Sequence, residues 1–496
     1  MKPSLGVIIL LFSAFFAEIS SADPSTGKQP NIILVMPDDV GYGDYACLGS
    51  PIMNTPSVDA FKKQSLLLTE FHVSPTCAPS RAALMGGRHE FKNGVTHTIY
   101  ERERMSLDTF TLPQMLKTAG YTTGIFGKWH LGDEEEYRPE SRGFDEVFIH
   151  GGGGIGQTYP GSCGDAPGNT NIDPAIWHNG KWEKTKGYCT DVFFEQSIKW
   201  MNAQRQEGKP FFAYVPLNAA HSPYVLPEEM YEQYVGKPDV TEDMAKFFGM
   251  IENVDANFGK LITQIDDWGI ADNTLVIYLG SDNGGTLGHR IYNADRRGTK
   301  GRPYQGSTRV PIFFRWPDGG IPANTETDAL TSGIDIFSTL AEITGAELSD
   351  EVKKQVEGRS LVPLLKDPKA DWSDRILVHH VGRWDKGKME DLKHKECAIQ
   401  NSRFTLVNNK ELYDLKADPG EQSNVISKHP EVVATLRAEY EKWWQDIQPH
   451  LVNEDAMGPK INPMKALYWE QFGGEPDSEM LKRMSPTRLI SGSKKK

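Results

Sequence analysis

The chain has 496 residues, 38% of them hydrophobic and 24% charged, with a formal net charge of −13. That length exceeds one minimal domain and suits a large domain with a smaller one beside it. An acidic balance of this size argues against a nucleic-acid or polyanion surface, so positive charge that meets an anionic ligand must be gathered inside a pocket.

The start reads as a signal peptide over residues 1–22: Lys2, the apolar run LGVIILLFSAFFA, then ISSA with small residues before a cut after Ala22. The run is shorter than the roughly 20 residues a membrane-crossing helix needs, and Glu18 and Asp23 follow it. The expectation is a secreted or periplasmic protein with no stable membrane insertion, an uncleaved anchor being the alternative.

Strands and helices then alternate. NIILVM (31–36) runs into Pro37-Asp38-Asp39, and TPSVDAFKKQSLLL (55–68) reads as helical. In VSPTCAPSRAALMGGR (73–88) the prolines hold Cys77 in an extended or turned loop, and a helix begins at SRAALM. TLPQMLKTAG (111–120) is helical, and YTTGIF (121–126) runs into Gly127-Lys128-Trp129-His130. The Gly-, Asn- and Pro-rich loop from Cys163 to Cys189 is the plausible disulfide loop of this five-cysteine chain. After helix 190–208, PFFAYV (210–215) leads through PLNAA to His221. After helix 240–269, TLVIYLG (274–280) runs into Ser281-Asp282-Asn283.

Uninterrupted apolar runs mark strands buried on both faces. The prediction is an α/β fold, a large and mostly parallel mixed sheet sandwiched by helices over residues 23–375. Beyond about residue 375, short strands joined by turns precede a helix at 430–447. Residues 376–496 are therefore predicted to form a smaller α+β subdomain with an antiparallel sheet, the closing SGSKKK being a frayed tail.

In such a sheet ligands bind beyond the carboxyl ends of the strands, and four strands deliver polar residues to that edge. Asp38, Asp39, Asp282 and Asn283 are hard oxygen donors suited to Ca²⁺ or Mg²⁺ rather than zinc; as single pairs they are also ordinary turn formers. Arg81, Lys128, His130, His221, Lys300 and Arg309 are the candidate positive and proton-transferring groups, or else solvated loop residues. Cys77 reads as a structural thiol, half of a disulfide or a nucleophile. A thiolate beside a hard divalent metal is a poor match, and an oxygen nucleophile, which cysteine does not supply, fits better.

CAPSR (77–81) resembles the C-x-P-S-R signature of the type I sulfatases, whose cysteine is oxidised to formylglycine. The resemblance runs the length of the mature chain, through NIILVMPDDVGYGDYACLGS, GYTTGIFGKWHLG, RGFD, NAAHSPY, GSDNGG, KGRPYQGSTRVPIFFRWPDG and ELYDLKADPGEQSN, in order. It implies an alkaline phosphatase/sulfatase-like fold, and Ca²⁺ held by Asp38, Asp39, Asp282, Asn283 and a 3-oxoalanine (formylglycine) made from Cys77. It further implies that Arg81 orients that residue, that Lys128 and Lys300 contact sulfate oxygens, and that His130 and His221 handle protons. A formylglycine-generating maturation enzyme is the implied partner. The chain departs from the family at Gly86-Gly87, where Thr-Gly is usual, and at Gln305-Gly306-Ser307, where Glu-Gly-Gly is usual.

Three loops could reach the pocket rim and stack on sugars or grip their acidic groups: IHGGGGIGQTYPG (149–161), the Cys163–Cys189 loop with Trp177, His178 and Trp182, and HHVGRWDKGK (379–388). The expected substrate is a sulfated glycan or oligosaccharide. The alternatives are a small aryl sulfate, a formylglycine-dependent phosphate or phosphonate monoester hydrolase, and a catalytically silent glycan-binding protein, which the intact residue set disfavours.

Overall fold

The computed structural model describes residues 29–99, 101–157, 164–459 and 461–476. The expected signal peptide, Cys163 and the SGSKKK tail lie outside them. Its strands in chain order are β1 (Asn31–Met36), β2 (Leu66–His72), β3 (Thr122–Lys128), β4 (Glu146–His150), β5 (Ala175–His178) and β6 (Lys181–Lys184). They continue with β7 (Phe211–Pro216), β8 (Thr274–Leu279), β9 (Arg309–Arg315), β10 (Thr325–Thr327) and β11 (Thr331–Ser332). Among the described residues these make one 11-stranded sheet in the order β10-β2-β9-β8-β1-β7-β3-β4-β5-β6, with β11 beside β2.

The sheet is mixed, as predicted. β1 runs parallel to β7 and β8, and β3 parallel to β7 and β4, while β9 is antiparallel to both β2 and β8. Side chains of a strand alternate between faces, and β1 shows what that does. Ile32, Leu34 and Met36 pack with Ala82 and Met85 of the helix Cys77–Gly86 and with Leu340 of the helix Asp335–Thr344. Ile33 and Val35 pack on the other side with Phe193 and Phe194 of the helix Cys189–Gln206 and Phe258 of the helix Glu242–Asp267. Both faces are covered, so the run carries no polar residue after Asn31.

A second sheet, antiparallel and four-stranded among the described residues, is ordered β12 (Leu377–His380), β13 (Cys397–Gln400), β14 (Phe404–Val407) and β15 (Glu411–Asp414). The helix Pro430–Ile447 lies against it through Val433, Leu436, Tyr440, Trp444 and Ile447, the i, i+3, i+4 face of the sequence pattern. Among the described residues no helix is long and apolar enough to cross a membrane.

Four expectations are corrected. The helix expected over 55–68 ends at Lys62, because Leu66, Leu67 and Leu68 are claimed by the ladder with Phe314, Phe313 and Ile312. Cys77 does not sit in a loop. It is the first residue of the helix Cys77–Gly86, whose opening turn tolerates Pro79 because the N–H groups there have no intrahelical acceptor. Cys189 is a buried free thiol at the start of its helix, packed with Phe193 under the sheet, and so does not form the expected bridge to Cys163. Trp177 and Trp182 do not reach a rim. They lie buried in the β5–β6 hairpin, their indole N–H groups donating to Glu140 and to the Met464 carbonyl.

Candidate active site

The carboxyl ends of β1, β3, β7 and β8 come together at one edge, with the N-terminus of the helix Cys77–Gly86 facing them. Asp38 and Asp39 follow β1, Asp282 and Asn283 follow β8, and all four are at most 2% exposed. The loop after β8 is held tightly: the Gly284 N–H donates to the Ser307 carbonyl at 2.7 Å, and a Cβ at Gly284 would fall 2.1 Å from the Gly306 oxygen. That close approach of two backbones accounts for the glycine after Asn283.

Three carboxylates, Asp38, Asp39 and Asp282, meet three cations, Arg81, Lys128 and Lys300. The Arg81 guanidinium is buried and donates from Nε to one Asp282 oxygen at 2.8 Å, with its Nη2 in ion-pair contact with the same oxygen at 2.7 Å. It also donates to the Lys128 carbonyl at 2.7 Å. Lys128 Nζ binds Asp38 Oδ2, and Lys300 Nζ lies 2.5 Å from Asp39 Oδ1. Burial and the neighbouring Asp282 push Asp38 well up, despite Lys128. Burial acts the same way on Asp39, but Lys300 and His221 overcome it and hold that carboxyl below the usual range. Lys300 is in turn held protonated by Asp39, against burial.

The donor set fits a hard divalent cation. Asp38 Oδ1, Asp282 Oδ1 and Asn283 Oδ1 are buried without a hydrogen-bond donor. Asn283 turns its amide nitrogen to Asp39 Oδ1 at 2.8 Å, which leaves its carbonyl oxygen free to ligate. Asp38, Asp39 and His221 place ligand atoms within 4.8 Å of one another. Oxygen donors and buried carboxylates of this kind suit Ca²⁺ or Mg²⁺.

Both histidines are oriented. His221 Nδ1 lies 2.7 Å from the Ser222 carbonyl, which requires a proton on Nδ1 and directs Nε2 towards Asp39, 3.8 Å away. Burial and Lys300 push His221 down to about 3. His130 takes a left-handed backbone, φ 61°, and is buried. Its Nε2 is 2.9 Å from the Thr98 carbonyl and 3.3 Å from Glu103 Oε2. A carbonyl and a carboxylate both accept, so Nε2 carries the proton and Nδ1, buried without a partner, keeps its lone pair.

Every predicted site residue except Arg309 thus belongs to this edge. Arg309 pairs with Glu70 at 3.0 Å and lies over the Tyr42 ring. Sequence reasoning missed Thr98 and Glu103, because a charged run such as ERER reads as a solvated surface. The stretch 149–161, expected at the pocket rim, reaches both histidines: a Cβ at Gly153 would lie 2.8 Å from His130 Nε2, and the Gln157 amide is 3.0 Å from His221 Nδ1. Of the stretch 379–388, Arg383 is exposed and donates to Thr98 Oγ1 at 2.9 Å, whereas His379, His380 and Trp384 are buried.

The sulfatase family profile matches residues 30–346, the whole of this edge, and a profile for the C-terminal part of N-sulphoglucosamine sulphohydrolase matches 299–446. The chain belongs to the sulfatase family. The N-acetylgalactosamine-6-sulfatase of Canis lupus familiaris is 29% identical over 394 residues, 72% of this chain and 69% of that one. A sulfatase of Formosa agariphila is 26% identical over 497 residues, covering 85% and 88%. The crystal structure of Ps i-CgsB in complex with k-i-k-neocarrahexaose superposes with a TM-score of 0.74 at 27% identity, over 91% of this chain and 99% of that one. A phosphonate monoester hydrolase of Agrobacterium radiobacter, at 21% identity and a TM-score of 0.57, shares the fold. This sulfatase is accordingly a hydrolase of sulfate esters.

Proposed function

We propose that this sulfatase removes sulfate from a sulfated carbohydrate, using formylglycine made from Cys77 and a calcium ion held by Asp38, Asp39, Asp282, Asn283 and residue 77. The observation that carries the reading is the single buried edge that gathers three oxygens without donors, three cations and two oriented histidines around the N-terminus of the helix Cys77–Gly86. The likeness to Ps i-CgsB, solved with a neocarrahexaose, and to the N-acetylgalactosamine-6-sulfatases supports a glycan substrate. Loaded, the site gains a Lewis acid from the ion and a hydroxyl nucleophile from the hydrated aldehyde.

The chain's own residues do the rest. Arg81, fixed on Asp282 and the Lys128 carbonyl, holds residue 77 from one side. Lys128 and Lys300 offset the charge that gathers on the sulfuryl oxygens. The proton that the departing sugar oxygen takes as its S–O bond breaks comes from Lys300, which Asp39 holds protonated, with His221 Nε2, unprotonated beside it, passing it on. His130 Nδ1, kept basic by the proton fixed on Nε2, removes the proton whose loss frees inorganic sulfate. The domains divide at residues 375/376, with export directed by residues 1–22 and the mature protein secreted or periplasmic.

Sulfate release from defined sulfated oligosaccharides, run beside aryl sulfates and phosphate monoesters, tests the substrate. Sulfated sugars are expected to be preferred, and a strong preference for phosphate overturns the reading. Mass spectrometry of the peptide containing residue 77 is expected to show the aldehyde, and an unmodified thiol in active protein overturns that half. Chelation is expected to abolish turnover and lower the melting temperature, with Ca²⁺ restoring both, since a ligand bound only to the native state stabilises it.

A further inference from the structure

Three cations beside His130, or beside its partner Glu103, have carboxylate partners of their own. Lys128 binds Asp38, Arg104 binds Glu134, and Arg102 lies 3.6 Å from Glu454. A fourth, Arg383, has none. It stands on the loop after β12, is exposed, and donates from its guanidinium to the Thr98 hydroxyl at 2.9 Å. Among the described residues that hydroxyl is the guanidinium's one hydrogen-bond partner, and no carboxylate pairs with it. In a chain of net charge −13, a cation left uncompensated beside the active-site edge calls for a reason.

The loop that carries Arg383 is fixed to the histidine's own support. The Arg383 N–H donates to the Thr96 carbonyl at 3.2 Å, and a Cβ at Gly382 would fall 2.1 Å from that oxygen. The Trp384 carbonyl accepts from Arg102 at 2.8 Å and lies 2.9 Å from His97 Nε2. Arg383 itself is held in the left-handed region at φ 63°, a conformation that persists in an arginine only where its surroundings fix it. Thr98 joins the two sides: its hydroxyl holds the guanidinium, and its carbonyl lies 2.9 Å from His130 Nε2. Arg383 is exposed and His130 buried, so the fork lies on the solvent side of the imidazole, from which a substrate must come.

A guanidinium meets two oxygens of a sulfate or a carboxylate with paired N–H donors, a match that a lone sugar hydroxyl does not offer. In the proposed reaction the scissile sulfate already has Lys128 and Lys300, both less exposed than Arg383, so the arginine is left for a different anion. We propose that Arg383 selects substrates with a second acidic group, a sulfate or a carboxylate, within one ring of the sulfate that is removed. The inference rests on the reading of the substrate as a sulfated carbohydrate and narrows it to multiply charged ones.

Sulfate-release kinetics of the native and Arg383→Met proteins on two pairs of sugars test it. One pair is neocarrabiose with one sulfate and with two; the other is N-acetylgalactosamine 6-sulfate without and with a linked uronic acid. The first pair reads a second sulfate, the second a carboxylate. The native protein is expected to show the higher kcat/KM on the doubly charged member of a pair it turns over. Arg383→Met keeps the stem and removes the fork, and it is expected to cut that preference about tenfold through KM, the effect of one charge-assisted hydrogen bond. Arg383→Lys, with the charge but not the fork, is expected to recover part of it. Added salt should narrow the native preference and leave that of the Met variant flat. An undiminished preference in Arg383→Met, or a native preference for the singly charged sugars, would overturn the proposal. So would a fall in kcat shared by both members of a pair with KM unmoved, which would make Arg383 only a support for Thr98 and His130. No release from any of the four sugars while an aryl sulfate is hydrolysed would instead sink the carbohydrate reading, and the proposal with it.

Discussion

Among the site residues, Glu103 deserves its own test because no strand end announces it. It is buried, and burial pushes its carboxyl up to about 7 even though His130 beside it pulls the other way. Burial and Lys128 push His130 down. The two groups lie 3.3 Å apart, so they titrate as a pair rather than singly. Glu103→Gln keeps the shape and an acceptor for Nε2–H but removes the negative charge that favours imidazolium. The pKa of His130 then falls further. If neutral His130 is the base, activity is lost as pH drops through that pKa, so the acid limb of kcat/KM moves to lower pH. A fall in kcat of about tenfold to a hundredfold is expected, the usual cost of losing a group that orients a histidine. Glu103→Asp should restore part of it, and a pH profile that keeps its acid limb in the Gln variant would show Glu103 to be only structural.

At the scale of elements, a glycine-rich loop after β4 walls the two histidines. Gly153 passes so close to His130 that an alanine Cβ would meet Nε2 at 2.8 Å. Gly153→Ala is expected to displace the imidazole, lowering kcat about tenfold or more while the unfolding midpoint moves little; full activity in this variant would remove the loop from the site. Much of this edge was legible in the sequence, and the reason is periodicity. β1, β7 and β8 are uninterrupted apolar runs, and each ends where a polar residue must leave the sheet. What escaped was fixed by tertiary partners. SLLL follows a helix without a break and became strand because β9 offered a ladder. Trp177 and Trp182, aromatics in a loop-like stretch, close a hairpin at the edge of the sheet instead of a pocket. The family departures also have local causes. A side chain at Gly86 would strike the Asn93 amide at 2.5 Å, which excludes the usual threonine. Gln305 donates its side-chain amide to Gln400 of β13, tying the loop after Lys300 to the second sheet.

Across the whole molecule, buried carboxyl groups far from the proposed cation ligands set the response of stability to pH. Burial pushes Glu421 up to about 8 and Asp165 up to about 7, each against the backbone or side-chain N–H groups that bond it. Glu421 Oε2 accepts from the Gln305 N–H at 2.9 Å while Oε1 has no donor, and Asp165 accepts from Gly156 and Asn169. For an acid whose folded pKa lies above its unfolded one, the native state holds a proton that the unfolded chain has released. Stability is therefore full below the unfolded value near 4 and declines as pH rises towards the folded value. Over that window each such group contributes a slope of up to about 1.4 kcal/mol per pH unit. Glu421→Gln and Asp165→Asn keep the shape and remove the titration. Urea unfolding between pH 4.5 and 8 should give a steeper loss of stability for the native chain than for either variant. The double variant should be the flattest, because the two carboxyls share no partner and their effects add. Parallel curves for all four proteins would mean that neither carboxyl holds its proton in the native state.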